Sequence, residues 1–183
     1  MVSDTDVCST GFAVTSFTGQ AGFVSAGHCG VAGSAVQAAN GKAMGTVVAS
    51  RFPVADYSWV ATNAGFVGTP MVSRHNGSFT AVQGARPAGV GATVCMSGRA
   101  SGWHCGKITA TNQTVSYDQG TVSGLTQTTV CTDAGDSGGA FISGTQAQGV
   151  VSGGVGDCAS GDGTYFQPLA PVLQTYGLRL RTS

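Results

Sequence analysis

The chain reads as an all-β protein with one short helix near its C-terminus. Three observations predict this. Thirty glycines stand beside only five prolines in 183 residues, Val, Thr and Ser recur in short alternating runs, and helix start and stop signals coincide in a single segment. Taken in order, Gly22–Ala26, Gly45–Ala49, Tyr57–Ala61, Thr128–Cys131 and Gln148–Ser152 are the clearest strands. The helix is predicted near residues 170–177. Pro168-Leu-Ala-Pro171 supplies its start, Val172, Leu173 and Tyr176 share one face, and Gly177 stops it. No internal repeat, low-complexity tract or linker divides the chain.

Composition bounds the function classes. A chain of 183 residues is long enough for one large domain or two small ones with a substantial core. Charged residues make up only 9%, the formal net charge is zero, and no basic cluster exists. Nucleic acid and anionic membrane are therefore excluded as partners. No apolar run approaches the roughly 20 residues that span a bilayer. Six cysteines, an even number, with so few charges point to an oxidising compartment and three disulfides. Zinc is the competing reading, but the chain holds no Cys-x-x-Cys or His-x-x-x-His pair. Arithmetic alone leaves about 15 pairings of six cysteines open. The segment Met1–Val7 is too polar and too short for a signal peptide, so the chain is expected to be the mature form of a secreted, extracellular protein.

The chemistry is concentrated in Gly135-Asp136-Ser137-Gly138-Gly139, a turn that sets a serine hydroxyl among backbone N–H groups. Those of Gly135 and Ser137 would stabilise the negative charge that nucleophilic attack places on a carbonyl oxygen. A plain Gly-Ser turn is the bland alternative in a glycine-rich chain. A hydroxyl needs a base, and there are three histidines. His28 lies where the apolar run from Gly22 ends in a Gly-His-Cys corner, which pins the imidazole as general-base chemistry requires. His75 sits in a polar turn and reads as an exposed loop residue, and His104, between Trp103 and Cys105, reads as structural or peripheral. The chain has no glutamate, so the group that orients the imidazole must be one of eight aspartates. Asp56, in the strand-like run Val54–Val60, would be partly buried and costly unless hydrogen-bonded. Asp4, Asp6, Asp118, Asp157 and Asp162 occupy polar or glycine-rich segments that read as turns or solvated loops. Asp133 and Asp136 belong to the serine's own loop. The order is His28, Asp56, Ser137, one of three in which such triads recur on unrelated folds.

Ala26-Gly-His-Cys29, Asp56 and Gly135-Asp-Ser-Gly-Gly139, in that order, resemble the chymotrypsin-type serine peptidases, in particular the secreted bacterial streptogrisin and alpha-lytic protease branch of actinobacterial type. Ser101-Gly-Trp-His-Cys-Gly106, Gln113–Tyr117, Gly144–Gly149 and Val151-Ser-Gly-Gly154 extend the similarity over nearly all of the chain from Cys8 onward. The resemblance implies two packed six-stranded antiparallel β-barrels. Residues 1–83 would carry His28 and Asp56, residues 84–183 would carry Ser137, the boundary would fall near Gln83–Pro87, and the triad would lie in the crevice between. It also implies the pairings Cys8–Cys29, Cys95–Cys105 and Cys131–Cys158, an N-terminal pro-region in the precursor, protein and peptide substrates, and proteinaceous serine-protease inhibitors as further partners. No metal or organic cofactor is expected, and a monomer is expected.

By the same resemblance, Ser152-Gly-Gly154 would hold an extended substrate by main-chain hydrogen bonds, and Ser152 would also bond Asp56. The pocket for the residue before the scissile bond would be walled by Cys131–Ala134, with Thr132 and Ala134 facing it, and by Gly153, Gly154 and Val155. These small walls favour medium to large apolar side chains. Cys131 stands where trypsin-like members carry an aspartate, which argues against a preference for Arg or Lys. Asp133, on the pocket rim, is expected to face water. One departure concerns Asp136. The bacterial branch usually has an arginine after the cysteine matching Cys95 that pairs with this aspartate, whereas here the residue is Met96. Arg99 could replace it, or backbone N–H groups and water could, or the loop could be less rigid. An esterase or acyltransferase would more naturally use a Gly-x-Ser-x-Gly elbow in an α/β chain. A non-catalytic binding module would usually have lost a triad member.

Overall fold

The computed structural model describes residues 1–3, 6–160 and 163–183. The turn or loop expectations for Asp4 and Asp162 lie outside the described residues. Strands β1 (Ala13–Ser16), β2 (Ala21–Ser25), β3 (Ala35–Gln37), β4 (Ala43–Arg51) and β5 (Tyr57–Thr62) are followed by a small hairpin of β6 (Met71–Ser73) and β7 (Phe79–Ala81). The second half contributes β8 (Thr93–Gly98), β9 (Gly102–Tyr117), β10 (Gly120–Thr128), β11 (Ala140–Ser143), β12 (Gln146–Gly154) and β13 (Thr164–Pro168). The helix α1 (Leu169–Tyr176) and β14 (Leu178–Leu180) end the chain.

These strands form two antiparallel six-stranded sheets. One has the order β14-β1-β2-β5-β4-β3, and the other closes as β10-β13-β12-β11-β8-β9. The last strand crosses back, so Leu178–Leu180 pairs with Ala13–Ser16's sheet edge through Val14 and Leu180. The connection from β7 to β8 contains residues 83–87, where sequence placed the boundary.

Burial follows from the alternation. Val94, Met96, Ile108, Val130, Phe141, Val151 and Phe166 fill the second barrel. Phe23, Val36, Val47 and Val60 cluster with Cys8 and Cys29 in the first sheet. The largest cluster lies between the two, where Phe12, Val14 and Val24 meet Ile142, Val150, Leu169 and Val172. Burying one such side chain stabilises the fold by about 1.5–3 kcal/mol. The inter-sheet core therefore fixes how the two halves face each other.

The helix takes its start at Pro168 and its end at Gly177, which adopts the left-handed conformation (φ 60°) that glycine tolerates. One expected strand ends early. Thr128–Cys131 is strand only to Thr128: Thr129 N–H still donates to the Lys107 carbonyl, but Lys107 N–H donates to the Thr129 hydroxyl at 3.0 Å and Val130 N–H to the Thr128 hydroxyl at 3.1 Å, so side chains replace the ladder partners.

All six cysteines are paired, as Cys8–Cys29, Cys95–Cys105 and Cys131–Cys158. Closing the 27-residue separation of the last pair is worth about 3 kcal/mol on the chain-entropy account. Replacing both Cys131 and Cys158 by serine is expected to lower unfolding stability by that order, read as a lower denaturant midpoint with a somewhat steeper slope, since the unfolded chain without the cross-link exposes more surface.

Candidate active site

Asp56 precedes β5 and is fully buried. A carboxylate in that position must be saturated with donors, and it is. Its Oδ1 accepts the N–H groups of Gly27 (2.7 Å) and His28 (3.0 Å). Its Oδ2 accepts His28 Nδ1–H at 2.9 Å and the Ser152 hydroxyl at 2.6 Å. The N–H of Asp56 donates to Gln167 Oε1 at 3.0 Å. Nδ1–H pointing at a carboxylate leaves Nε2 as the free ring nitrogen. Burial pulls the imidazole towards its neutral form, but the hydrogen bond and charge of Asp56, with Asp6 adding to them, outweigh it and leave the pKa of His28 raised. Phe52 meets the ring edge-on, 5.6 Å between centroids.

The serine arrives from the other half. Ser137 lies in the turn between β10 and β11, and its carbonyl accepts the N–H of Ser9 at 2.8 Å. The Cys29 sulfur, which has no hydrogen in its disulfide, is 3.8 Å from the same oxygen, so the serine loop abuts the histidine corner. The Ser137 hydroxyl makes no hydrogen bond among the described residues. Among the described residues the N–H groups of Gly135 and Ser137 also make no hydrogen bond, whereas those of Asp136, Gly138 and Gly139 are used within the fold. Gly135 has φ 105°, a conformation other residues rarely adopt.

Thr132, Asp133, Ala134, Ser137, Val151, Gly153, Gly154 and Gly156 line a cavity of about 230 Å³. Val155 is 55% exposed and lies outside this lining, with Gly156 in its place. Ser152 lines a neighbouring cavity of about 510 Å³ with His28, Phe52, Tyr117 and Asp6. The Tyr117 hydroxyl lies 3.1 Å from that of Ser152, and burial pushes the phenol's pKa up. Asp133 is turned inward by one oxygen, which accepts the Cys158 N–H at 3.1 Å. His75 is exposed at the β6–β7 turn, and His104 donates from Nε2 to the Ser101 carbonyl at 2.9 Å. Asp6, Asp118 and Asp157 are exposed.

Comparison with known proteins identifies the family. The trypsin family pattern matches residues 3–175. The chain belongs to the trypsin family. It is 52% identical to Streptogrisin-C of Streptomyces griseus over 96% of its own length, and it spans 38% of that longer relative. Its fold matches Nocardiopsis protease (52% identity, TM-score 0.92, 96% of this chain and 93% of that one) and Thermobifida fusca protease A (49% identity, TM-score 0.91, 96% and 92%).

Within this trypsin-family frame, Asp136 is fully buried, and Met96 packs in the barrel core. The Arg99 guanidinium does not replace the missing cation. Asp136 Oδ1 accepts the N–H groups of Ala100 (2.8 Å) and Ser101 (3.2 Å), and Oδ2 accepts the Asp133 N–H (3.0 Å) and the Ser101 hydroxyl. Four donors satisfy the carboxylate without an ion pair. Sequence reasoning did not single out Ser101 or Gln167, since both act on aspartates more than 30 residues away in sequence.

Two substitutions check this arrangement. Arg99→Ala is expected to leave kcat/KM within about twofold, because four neutral donors from other residues hold the Asp136 carboxylate. Gly98→Ala would put a Cβ into the Asp136 carboxyl and is expected to lower both kcat and stability. Steady-state kinetics and denaturation read both.

Proposed function

We propose that the chain is a secreted serine endopeptidase that cleaves peptide bonds through an acyl-enzyme. The observation that carries this is the saturated Asp56 carboxylate holding His28 in one tautomer, with a serine loop that abuts the histidine corner at Cys29 and keeps the Gly135 and Ser137 N–H groups unused among the described residues. His28 takes the proton of Ser137 as it attacks, Asp56 orients the imidazole and stabilises its cation, and Gly135 and Ser137 N–H bind the oxyanion. Water then releases the acyl group with His28 again as base. No step calls on a metal or organic cofactor.

Three disulfides and the absence of free cysteine support an oxidising, extracellular setting. The working unit is a monomer whose two halves, residues 1–83 and 84–183, meet at the site, acting on proteins and peptides and open to proteinaceous inhibitors. Ser152, Gly153 and Gly154 hold the substrate backbone. Thr132, Ala134, Gly153 and Gly154 wall the pocket for the residue before the scissile bond. Its small neutral walls, with Asp133 engaged to Cys158, favour a medium to large apolar side chain.

A fluorophosphonate probe tests the assignment. Stoichiometric labelling at Ser137 in the folded protein and none after denaturation is expected, and no labelling would contradict it. Ser137→Ala should lower kcat by about 10⁶-fold, the scale for removing a triad serine. Peptide anilides varied only before the scissile bond should be cleaved fastest with Phe or Leu. A preference for Arg would instead assign the Asp133 carboxylate to substrate.

The pH profile has a definite sign. His28 must be neutral to act as base, and its pKa is raised, so kcat/KM should rise with pH through a midpoint above the ordinary histidine value of about 6.5. Asp6→Asn removes one raising charge and should shift that midpoint downward. An unmoved or higher midpoint would show that Asp6 does not act on His28.

A further inference from the structure

Ser9 is 4% exposed and every polar atom it owns is engaged. Its N–H donates to the Ser137 carbonyl at 2.8 Å. Its hydroxyl donates to the Gly135 carbonyl at 2.8 Å and accepts the Arg99 N–H at 2.9 Å. Its own carbonyl accepts the Ser25 hydroxyl at 3.0 Å. The residues whose carbonyls Ser9 holds, Gly135 and Ser137, are two whose N–H groups make no hydrogen bond among the described residues. Ser9 also follows Cys8, whose disulfide partner Cys29 follows His28, so one residue touches the serine loop and is tied covalently to the histidine corner.

We propose that Ser9 is a positioning residue: its hydroxyl clamps the Gly135 carbonyl of the second barrel to the first sheet and so holds the Gly135 and Ser137 N–H groups convergent on the oxyanion. This rests on the peptidase reading above and adds a residue that reasoning from motifs did not reach. Gly135 has the freedom to rotate, given its φ of 105°, and the peptide that follows it is held at its carbonyl oxygen by Ser9. Without the hydroxyl two groups in part-buried hydrogen bonds lose a partner, the carbonyl of half-buried Gly135 and the N–H of exposed Arg99. Each then gains by finding another partner, in the protein or in water. The loop then has reason to turn towards other partners.

The test uses Ser9→Ala and Ser9→Thr in the full chain. Ser9→Ala should lower kcat about 10- to 100-fold, change KM less than about threefold, and weaken a peptide aldehyde, whose adduct places an oxyanion in the hole, by the same factor as kcat. Ser9→Thr, which keeps the hydroxyl, should recover most of kcat. Should Ser9→Ala not fold, Ser9→Val against Ser9→Thr gives the same comparison between side chains of one shape. Amide hydrogen exchange over residues 133–139 should rise in the variants lacking the hydroxyl while β2 and β5 keep their protection. Unchanged kcat, or a loss of kcat that merely follows the unfolded fraction, would overturn the proposal. The exchange readout needs no turnover, so if the unaltered protein fails to take up the fluorophosphonate, that sinks the peptidase reading alone. Exchange over 133–139 then still decides the clamp: unchanged exchange overturns it.

Discussion

The rest of the site depends on one buried carboxylate. Asp56 is removed from water, and an isolated carboxylate there would cost several kcal/mol. Its compensation comes from both halves of the molecule. Gly27 and His28 donate from the first sheet, Ser152 donates from β12 of the second barrel, and Gln167 of β13 receives the Asp56 N–H. The hydrogen-bond shell that makes the charge tolerable is therefore also what aligns the two sheets at the site. Burial adds direction, since a low local dielectric strengthens each of these bonds and penalises any that is left open.

A second buried carboxylate repeats the logic on the nucleophile side. Asp136 is held by three backbone N–H groups and a hydroxyl, which lets Met96 occupy the core position as an apolar side chain. An arginine there would need its own desolvation offset, so the exchange of an ion pair for neutral donors keeps the loop anchored by different means. The loop is consequently pinned at its carboxylate from the second barrel and at its carbonyls by Ser9 from the first. The N–H groups of Gly135 and Ser137 make no hydrogen bond among the described residues.

Short-range chemistry was legible in the sequence. His28 at the end of an apolar run, Asp56 in a strand-like run without a glutamate to compete with it, and the helix stopped at Gly177 all follow from patterns within a few residues. The cysteine pairing came from family resemblance, and the three disulfides agree with it. What was not legible joins distant segments. Ser9 meets Gly135 across 126 residues and Gln167 meets Asp56 across 111, and nothing local marks either side chain. The 16-residue β9 escaped notice because its exposed face is polar and its residues alternate without an apolar stripe. Thr128–Cys131 reads as strand by composition, yet the Thr128 hydroxyl competes for the backbone and ends it. The pocket wall shifted from Val155 to Gly156 for a similar reason, since the turn after β12 rotates the valine to solvent.

The central claim, that the buried Asp56 carboxylate fixes the tautomer and basicity of His28, is tested most directly by nuclear magnetic resonance of the isotope-labelled imidazole. The account predicts a slowly exchanging Nδ1 proton shifted far downfield by a carboxylate acceptor, present on both sides of a single His28 titration. It would be contradicted by a proton residing on Nε2 in the neutral form, or by an imidazole exchanging freely between tautomers.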